Sequence, residues 1–321
     1  MSVLITGVAG FVGVNLARMF INKGVRVCGV DNLSRGTLHN IADLLSDPLF
    51  SFKQLDITDP TALLNACATF HRAAALTECW HLAANSDIPA GVSDAAVDLK
   101  DTFMTTHCLL GVMKQLGIKK LAFASSSAIY GDHGTIPLVE DLGPLLPISN
   151  YGAMKLASEA AISAAVESFL DQAWIFRFPN VIGVPATHGV MLDFVRKLKK
   201  TPEQLQVLGD GTQQKGYLHV EELVDAMFWI RDHATEKRAL YNIGADDDGV
   251  TVKFIAEETV RAAQQHALIV YGMGNRGWVG DVPRFIYSIE KLKRLGWFPK
   301  LNSAQAVQKA IAQIVAQEQG N

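Results

Sequence analysis

The chain has 321 residues, 49% hydrophobic and 19% charged, with a net charge of −3. That is an ordinary globular profile, long enough for one large domain with an appended lobe or for two domains. So small a charge gives no basis for a nucleic-acid or anionic-membrane partner, and no apolar run approaches the roughly 18 residues that a membrane span needs.

In chain order, "SVLITG" is a short β-branched run ending in glycine and reads as a buried strand. "FVGVNLARMFINKG" follows with apolar residues at helical spacing and closes on Gly24. "VRVCGVD", "FSFKQLD", "LTECWHLAA" and "KKLAFASSS" continue the series of strands, separated by helical patterns, of which Asp94 to Leu116 is the longest. "AWIFRFPNVIG" gives one more strand. This alternation predicts a parallel sheet with helices on both faces. The last third changes rhythm, with shorter elements and glycine-rich loops such as "LGDGTQQKGYLH", and predicts a smaller mixed α/β lobe closed by helices near Ser288–Leu295 and Ser303–Glu318. The expected division is a dinucleotide-binding domain over 1–180 and a substrate lobe over 181–321, some of whose segments return to the first domain. The N-terminus "MSVLITG" enters a strand with no charged lead, so no signal peptide is expected. Cys28, Cys67, Cys79 and Cys108 show neither metal spacing nor a disulfide framework. A cytoplasmic setting without a metal is the expectation.

"ITGVAGFVG" sets Gly7, Gly10 and Gly13 three apart at a strand-to-helix junction. Absent side chains permit a tight turn, and the opening helix aims its amides at a pyrophosphate. A glycine triplet alone is equally a softened turn; the strand before and helix after are what the dinucleotide fingerprint requires. Asp31 ends the second strand, 24 residues after Gly7. A carboxylate there accepts ribose hydroxyls and repels a 2′-phosphate, which favours NAD over NADP. Arg35 stands four residues on and could meet a phosphate instead.

"SNYGAMK" places Tyr151 and Lys155 four apart, on one helix face. A free phenol titrates near pH 10; a neighbouring ammonium favours the phenolate and lowers that value. Such a tyrosine can take a proton from a sugar hydroxyl as hydride leaves the same carbon. The spacing by itself is common on helix surfaces. "FASSSAIYG" adds serines at a strand end, where one could bond the reacting hydroxyl or where all three simply cap the strand.

With these motifs in place, "TGVAGFVG", "DNLS", "LDITD", "HLAA", "SSSAIYG", "YGAMK", "RFPNVIG", "GDGTQQKGYLHVEELVDA" and "GDVPR" together resemble the extended short-chain dehydrogenase/reductase family over nearly the whole chain. Within it the pattern is most similar to UDP-glucose 4-epimerase-like nucleotide-sugar epimerases. The resemblance implies a Rossmann-type doubly wound sheet and a catalytic set of Ser126, Tyr151 and Lys155. It further implies cofactor contacts from Phe11 and Val12 at the pyrophosphate, Asp31 and Asn32 at the ribose, Asp56 and Ile57 at the adenine, and Leu82, Ala83 and Ala84 under the nicotinamide. Substrate contacts would come from Ser126, Asn180, Lys215, Arg276 and Asp281. His188 and His219 are expected to be structural.

Where related 4,6-dehydratases carry Thr-Asp-Glu, this chain has Ser126-Ser127-Ala128, without the acid that expels the C6 hydroxyl. Lys215 stands where many relatives place an arginine, a point charge in place of a bidentate fork. The reading is an NAD-dependent nucleotide-sugar 4-epimerase. A 4-dehydrogenase or 4-ketoreductase would use the same residues, and a non-catalytic dinucleotide sensor would need none of the catalytic three. The resemblance also implies a homodimer through the helices near Asp94–Leu116 and Tyr151–Phe169.

Overall fold

The computed structural model describes residues 1–134, 136–264, 266–274 and 286–319. Its chain divides into two units: Met1–Gly131 with Gly143–Phe178 and Met227–Tyr241, and Asp132–Leu142 with Pro179–Ala226 and Asn242–Asn321.

The first unit is built on β1 (Ser2–Thr6), α1 (Phe11–Asn22), β2 (Arg26–Asp31), β3 (Phe50–Gln54), α2 (Pro60–Ala73), β4 (Leu76–His81), α3 (Ile88–Ser93), α4 (Ala95–Asp98), α5 (Thr105–Leu116), β5 (Lys120–Ala124), α6 (Asn150–Ser168) and β6 (Gln172–Arg177). The sheet order is β3-β2-β1-β4-β5-β6, and a seventh strand, Arg238–Asn242, flanks β6. Every pairing from β3 to β6 is parallel. The reversal of strand order between β1 and β4 makes the crevice above β1 the natural ligand position of a doubly wound sheet. β1 is buried along its whole length, with Val3, Leu4 and Ile5 at its centre and the polar Ser2 and Thr6 at its ends. One face of the sheet packs Leu4, Val30, Leu109, Met113, Leu121 and Ile162 into a common core. On the other, Phe20 meets the Trp80 ring edge-on at 5.3 Å and Phe228 stacks on Trp80 at 5.6 Å.

The expected long helix from Asp94 to Leu116 is not one helix. It breaks into α4, a π-helical stretch at Leu99–Met104, and α5. The 19-residue α6 is longer than any of these pieces. "AWIFRFPNVIG" likewise divides at Pro179, which has no amide hydrogen to offer a ladder, into β6 and a short strand at Asn180–Ile182.

The second unit is mixed. Its small sheets pair Asn180–Ile182 with Tyr217–His219, Gln214–Lys215 with Val250–Thr251, and Gln204–Val207 with Leu268–Tyr271. Helices Val190–Lys200, Val252–Ala262 and Ser303–Gln319 close around Phe194, Leu205, Tyr217, Ile255, Val307 and Ile311. The expected helix near Ser288–Leu295 is a single turn and a half, Glu290–Arg294.

Candidate active site

The glycine turn follows β1. Gly7 has φ +71°, and a Cβ there would lie 2.8 Å from the Ala83 nitrogen. Its own amide donates to the Val30 carbonyl at 2.9 Å. At Gly13 a Cβ would fall 2.1 Å from the Gly7 carbonyl oxygen, so only glycine lets α1 seat against the turn. α1 opens at Gly10 without a side-chain cap and without an acidic residue in its first turn, whereas Asp59 and Ser149 cap α2 and α6. Its first amides, from Phe11 and Val12 onward, are therefore left for a bound anion. The turn, the uncapped helix and the carboxylate that ends β2 fit a dinucleotide.

That carboxylate, Asp31, is 7% exposed. Oδ2 accepts the Ala9 amide at 3.0 Å and Oδ1 the Leu33 amide at 2.8 Å. Burial pushes its carboxyl up, and the two backbone bonds pull the other way. It thus ties the glycine turn to the end of β2, a structural duty that its position as a strand-end residue did not disclose. Asn32 forms its own local turn, accepting the Ser34 amide at 3.0 Å. Arg35 is engaged by Asp87 at 3.2 Å. Asp56 accepts the Thr58 amide at 2.9 Å and faces Lys100 at 3.5 Å. Burial works to raise its carboxyl, but these partners outweigh it and hold it below the ordinary value. Ile57 is a core residue at 4% exposure. Leu82, Ala83 and Ala84 continue β4 past the turn, with the Ala83 amide donating to Thr6 Oγ1 at 3.3 Å.

β5 delivers Ser125 and Ser126 at its C-terminal end. Ser126 Oγ accepts the Ala128 amide at 3.1 Å and hydrogen-bonds to the Tyr151 hydroxyl. It is both a cap and a partner of the phenol. Ser149 caps α6 through the Gly152 amide at 3.1 Å. Gly152 must be glycine, because a Cβ there would lie 2.4 Å from the Ala128 carbonyl oxygen. That close approach brings the first turn of α6, and with it Tyr151, onto the turn that carries Ser126. Lys155 is 2% exposed; its Nζ donates to the Ala124 carbonyl at 2.6 Å and lies 4.8 Å from the Phe123 ring centre and 5.8 Å from that of Tyr151.

The electrostatics depart from expectation. Burial pushes the Tyr151 phenol up to about 12, against the Ser126 bond. Burial also takes Lys155 down to about 7, opposed by Glu159 and Asp98. The ammonium gives up its proton before the phenol does, so by itself it does not hold Tyr151 below its ordinary value.

Three side chains beneath the site, Glu159, Arg177 and His81, were not singled out in the sequence. Glu159, one turn past Lys155, accepts two bonds from Arg177 at 3.0 and 2.7 Å and one from Ser125 Oγ at 2.5 Å. Arg177 also donates to the Tyr130 hydroxyl at 3.0 Å. His81, buried between Thr6 at 2.7 Å and Thr106 at 3.1 Å, is pushed down to about 3 by burial and the Lys155 charge, and is neutral. The helical spacing of Glu159 from Lys155 was the available signal; the others depend on strands distant in sequence.

Asn180 and Lys215 lie in the second unit, where Asn180 Nδ2 donates to the carbonyl of Gly216 at 3.2 Å. Arg276 and Asp281 lie outside the described residues. His219 bonds Gln313 at 2.9 Å within that unit, and burial lowers its pKa. Among the described residues no group of three or more His, Cys, Asp or Glu side chains is placed to hold a metal.

Residues 3–244 match the model of the NAD dependent epimerase/dehydratase family. The UDP-glucose 4-epimerase of Halalkalibacterium halodurans is 28% identical over 96% of this chain and 93% of its own length. Among solved structures, the Thermus thermophilus UDP-glucose 4-epimerase in complex with NAD superposes with a TM-score of 0.84 at 26% identity, covering 98% of this chain and 99% of that one. The Thermotoga maritima UDP-glucose 4-epimerase with UDP-glucose gives 0.86 at 26%, with all of both chains covered. With three quarters of its length inside the family model, and with the glycine turn and the Ser-Tyr-Lys set built as described, the chain is a member of the NAD dependent epimerase/dehydratase family, of the extended short-chain dehydrogenase/reductase type.

Proposed function

We propose that this protein is an NAD-dependent 4-epimerase of a nucleotide sugar. The observation that carries the reading is the assembly of Ser126, Tyr151 and Lys155 at the C-terminal end of β5, in the same unit as the glycine turn. When bound, NAD supplies a hydride acceptor and donor and a positively charged ring beside the phenol. Tyr151 Oη takes the proton of the sugar C4 hydroxyl and later returns it. Ser126 Oγ, bonded to the same hydroxyl, steadies the oxygen on which charge develops. Lys155 holds its ammonium at the floor of the site through the Ala124 carbonyl and supports the cofactor ribose. The phenol at about 12 stays protonated in the free protein, so Tyr151 waits as an acid until positive charge is brought to it.

Gly7, Gly10, Phe11, Val12 and Gly13 would hold the pyrophosphate, Asp31 and Asn32 the adenosine ribose, Asp56 and Ile57 the adenine, and Leu82, Ala83 and Ala84 the nicotinamide half. The nucleotide sugar would be met by Ser126, Asn180, Lys215, Arg276 and Asp281. Ser127 and Ala128 in place of an acidic pair speak against dehydration. Mass spectrometry of the purified protein with a panel of nucleotide sugars and NAD tests the assignment: an epimer of unchanged mass is expected. Loss of two mass units would make it a 4-dehydrogenase, and loss of eighteen a dehydratase.

We also propose a homodimer through α5 and α6, supported by the small residues of "LASEAAISAAVES" along α6; a monomer by light scattering at micromolar concentration would remove it. A cytoplasmic setting is supported by four free, buried thiols. No helix among the described residues is long and apolar enough to cross a membrane.

A further inference from the structure

The turn that carries Ser126 leaves β5 at Ser125 and ends at Tyr130. Its backbone continues the pairing of β5 with β6: the Ser125 amide donates to the Phe176 carbonyl at 2.8 Å and the Ser127 amide to that of Phe178 at 3.2 Å. Those bonds fix the turn on β6, not on α6, the helix of Tyr151 and Lys155. One buried ion pair joins all three segments. Glu159 on α6 meets Arg177 at the end of β6 at 2.7 Å. The carboxylate holds the first end of the turn, where Ser125 Oγ donates to Glu159 Oε1 at 2.5 Å. The guanidinium holds the other end. Arg177 Nη1 donates to the Tyr130 hydroxyl at 3.0 Å, and Arg177 Cζ lies 5.0 Å from the centre of that ring. Ser125 and Tyr130 are both buried. A buried ion pair is weak evidence for stability, because desolvation offsets much of the attraction; what it can supply instead is a fixed arrangement.

We propose that Glu159 and Arg177 are a positioning pair for Ser126, gripping its turn at both ends so that its hydroxyl stays against that of Tyr151. The contacts along α6 run in step with this role. Gly152 lies against the Ala128 carbonyl, Lys155 donates to the Ala124 carbonyl and Glu159 receives Ser125, so three successive turns of one helix meet the same short stretch of chain. The glycine contact sets how closely the helix approaches, and the directional bond to Ser125 sets where along the helix the turn sits. The Ser126 hydroxyl does not tether itself to α6 in any other way than through Tyr151: its Oγ accepts the Ala128 amide two residues on, a bond inside the turn that moves with the turn. The consequence for turnover rests on the epimerase reading; the placement of the hydroxyl does not.

Two hydroxyl deletions open the grips one at a time and leave the ion pair intact. Ser125→Ala frees the first end; Tyr130→Phe frees the second and keeps a ring beneath the guanidinium. The readout is NMR of cofactor-free protein carrying tyrosine labelled with carbon-13 at Cζ, whose shift follows the hydrogen bonding of the hydroxyl. Among six tyrosines, the Tyr151 signal is assigned by its loss in Tyr151→Phe. Ser126→Ala gives the displacement for a phenol that has lost its serine. Ser125→Ala and Tyr130→Phe should each move the Tyr151 signal in that same direction, by less, and should move it no further in a Ser126→Ala background. A merely structural pair would lower the melting temperature of both variants and leave the signal in place. A signal that a folded variant leaves unmoved, or a displacement that survives in the Ser126→Ala background, overturns the proposal, as does indifference to Ser126→Ala itself. If one of the two variants does not fold, the other decides. In turnover each variant should lower kcat with KM little changed, toward the about 10²-fold that an ångström of misplacement costs, and the loss should vanish once Ser126 is alanine. Coupled signals in a protein that turns over no nucleotide sugar would sink the epimerase reading and leave the positioning role standing.

Discussion

Lys155 allows the dryness of the site to be tested without any substrate. Unfolded, its ammonium titrates at 10.5; folded, burial brings it down to about 7. Between those values the unfolded chain holds a proton that the folded chain has released. Stability therefore rises with pH across that window, and the cost of burying the ammonium is present in full below it. One pH unit corresponds to about 1.4 kcal/mol, and the group is half titrated at its midpoint, so going from about pH 7 to 9 relieves roughly 2 kcal/mol. At 2% exposure there is little solvent screening to discount. Lys155→Met has nothing to titrate and lacks the rise. The buried thiols of Cys28 and Cys67, each pushed up to about 12, act in the opposite direction at alkaline pH, but they are common to both proteins and cancel in the difference. The measurement is urea denaturation of both proteins at the two pH values. The unaltered protein should gain about 2 kcal/mol more than the variant. Parallel changes would refute the reasoning, because they would mean that Lys155 keeps its proton in a wet site.

Tyr151→Phe removes the hydroxyl bonded to Ser126 and leaves the ring; turnover should fall by about 10²–10⁴ with NAD affinity retained, and near-normal turnover would place the proton chemistry elsewhere. Asp31→Ala should weaken NAD by about 1.5–3 kcal/mol and narrow its advantage over NADP in fluorescence titrations. It should also lower the melting temperature, since the Ala9 and Leu33 amides lose their acceptor; equal affinities in the unaltered protein would end the ribose role. Arg177→Met strands Glu159, which is 6% exposed, and should cost about 3–5 kcal/mol in urea denaturation. A loss under about 1 kcal/mol would mean that the pair behaves as a surface pair does.

Much of the first unit was legible because its strands are short, largely apolar runs and its helices carry apolar residues at helical spacing. "SVLITG" and "VRVCGVD" fall on β1 and β2 within a residue, while "KKLAFASSS" covers β5 and runs three residues past its end. The stretch from Asp94 to Leu116 misled because a π-helical turn inserts backbone without punctuation: no proline or glycine marks Leu99–Met104. The residues on either side of it no longer share a face, so a single helical stripe could not be read through. The chemistry at Tyr151 and Lys155 was visible as a spacing, but its electrostatics were not. Whether the phenol is lowered or raised depends on burial, and that follows from the start of α6 closing onto the turn after β5, two segments distant in sequence.

The double attachment of Asp31 bears on any attempt to re-engineer the protein for a phosphorylated cofactor. Replacing the carboxylate with a small neutral residue, the obvious first move, also cuts the stitch between the glycine turn and the strand beside it. A workable redesign would have to supply a substitute acceptor for the Ala9 amide, through an asparagine at 31 or a hydroxyl nearby, and release Arg35 from Asp87 so that a cation is available for the added phosphate. Cofactor choice and turn geometry are here one variable, and selection for a new preference would have to move several positions together.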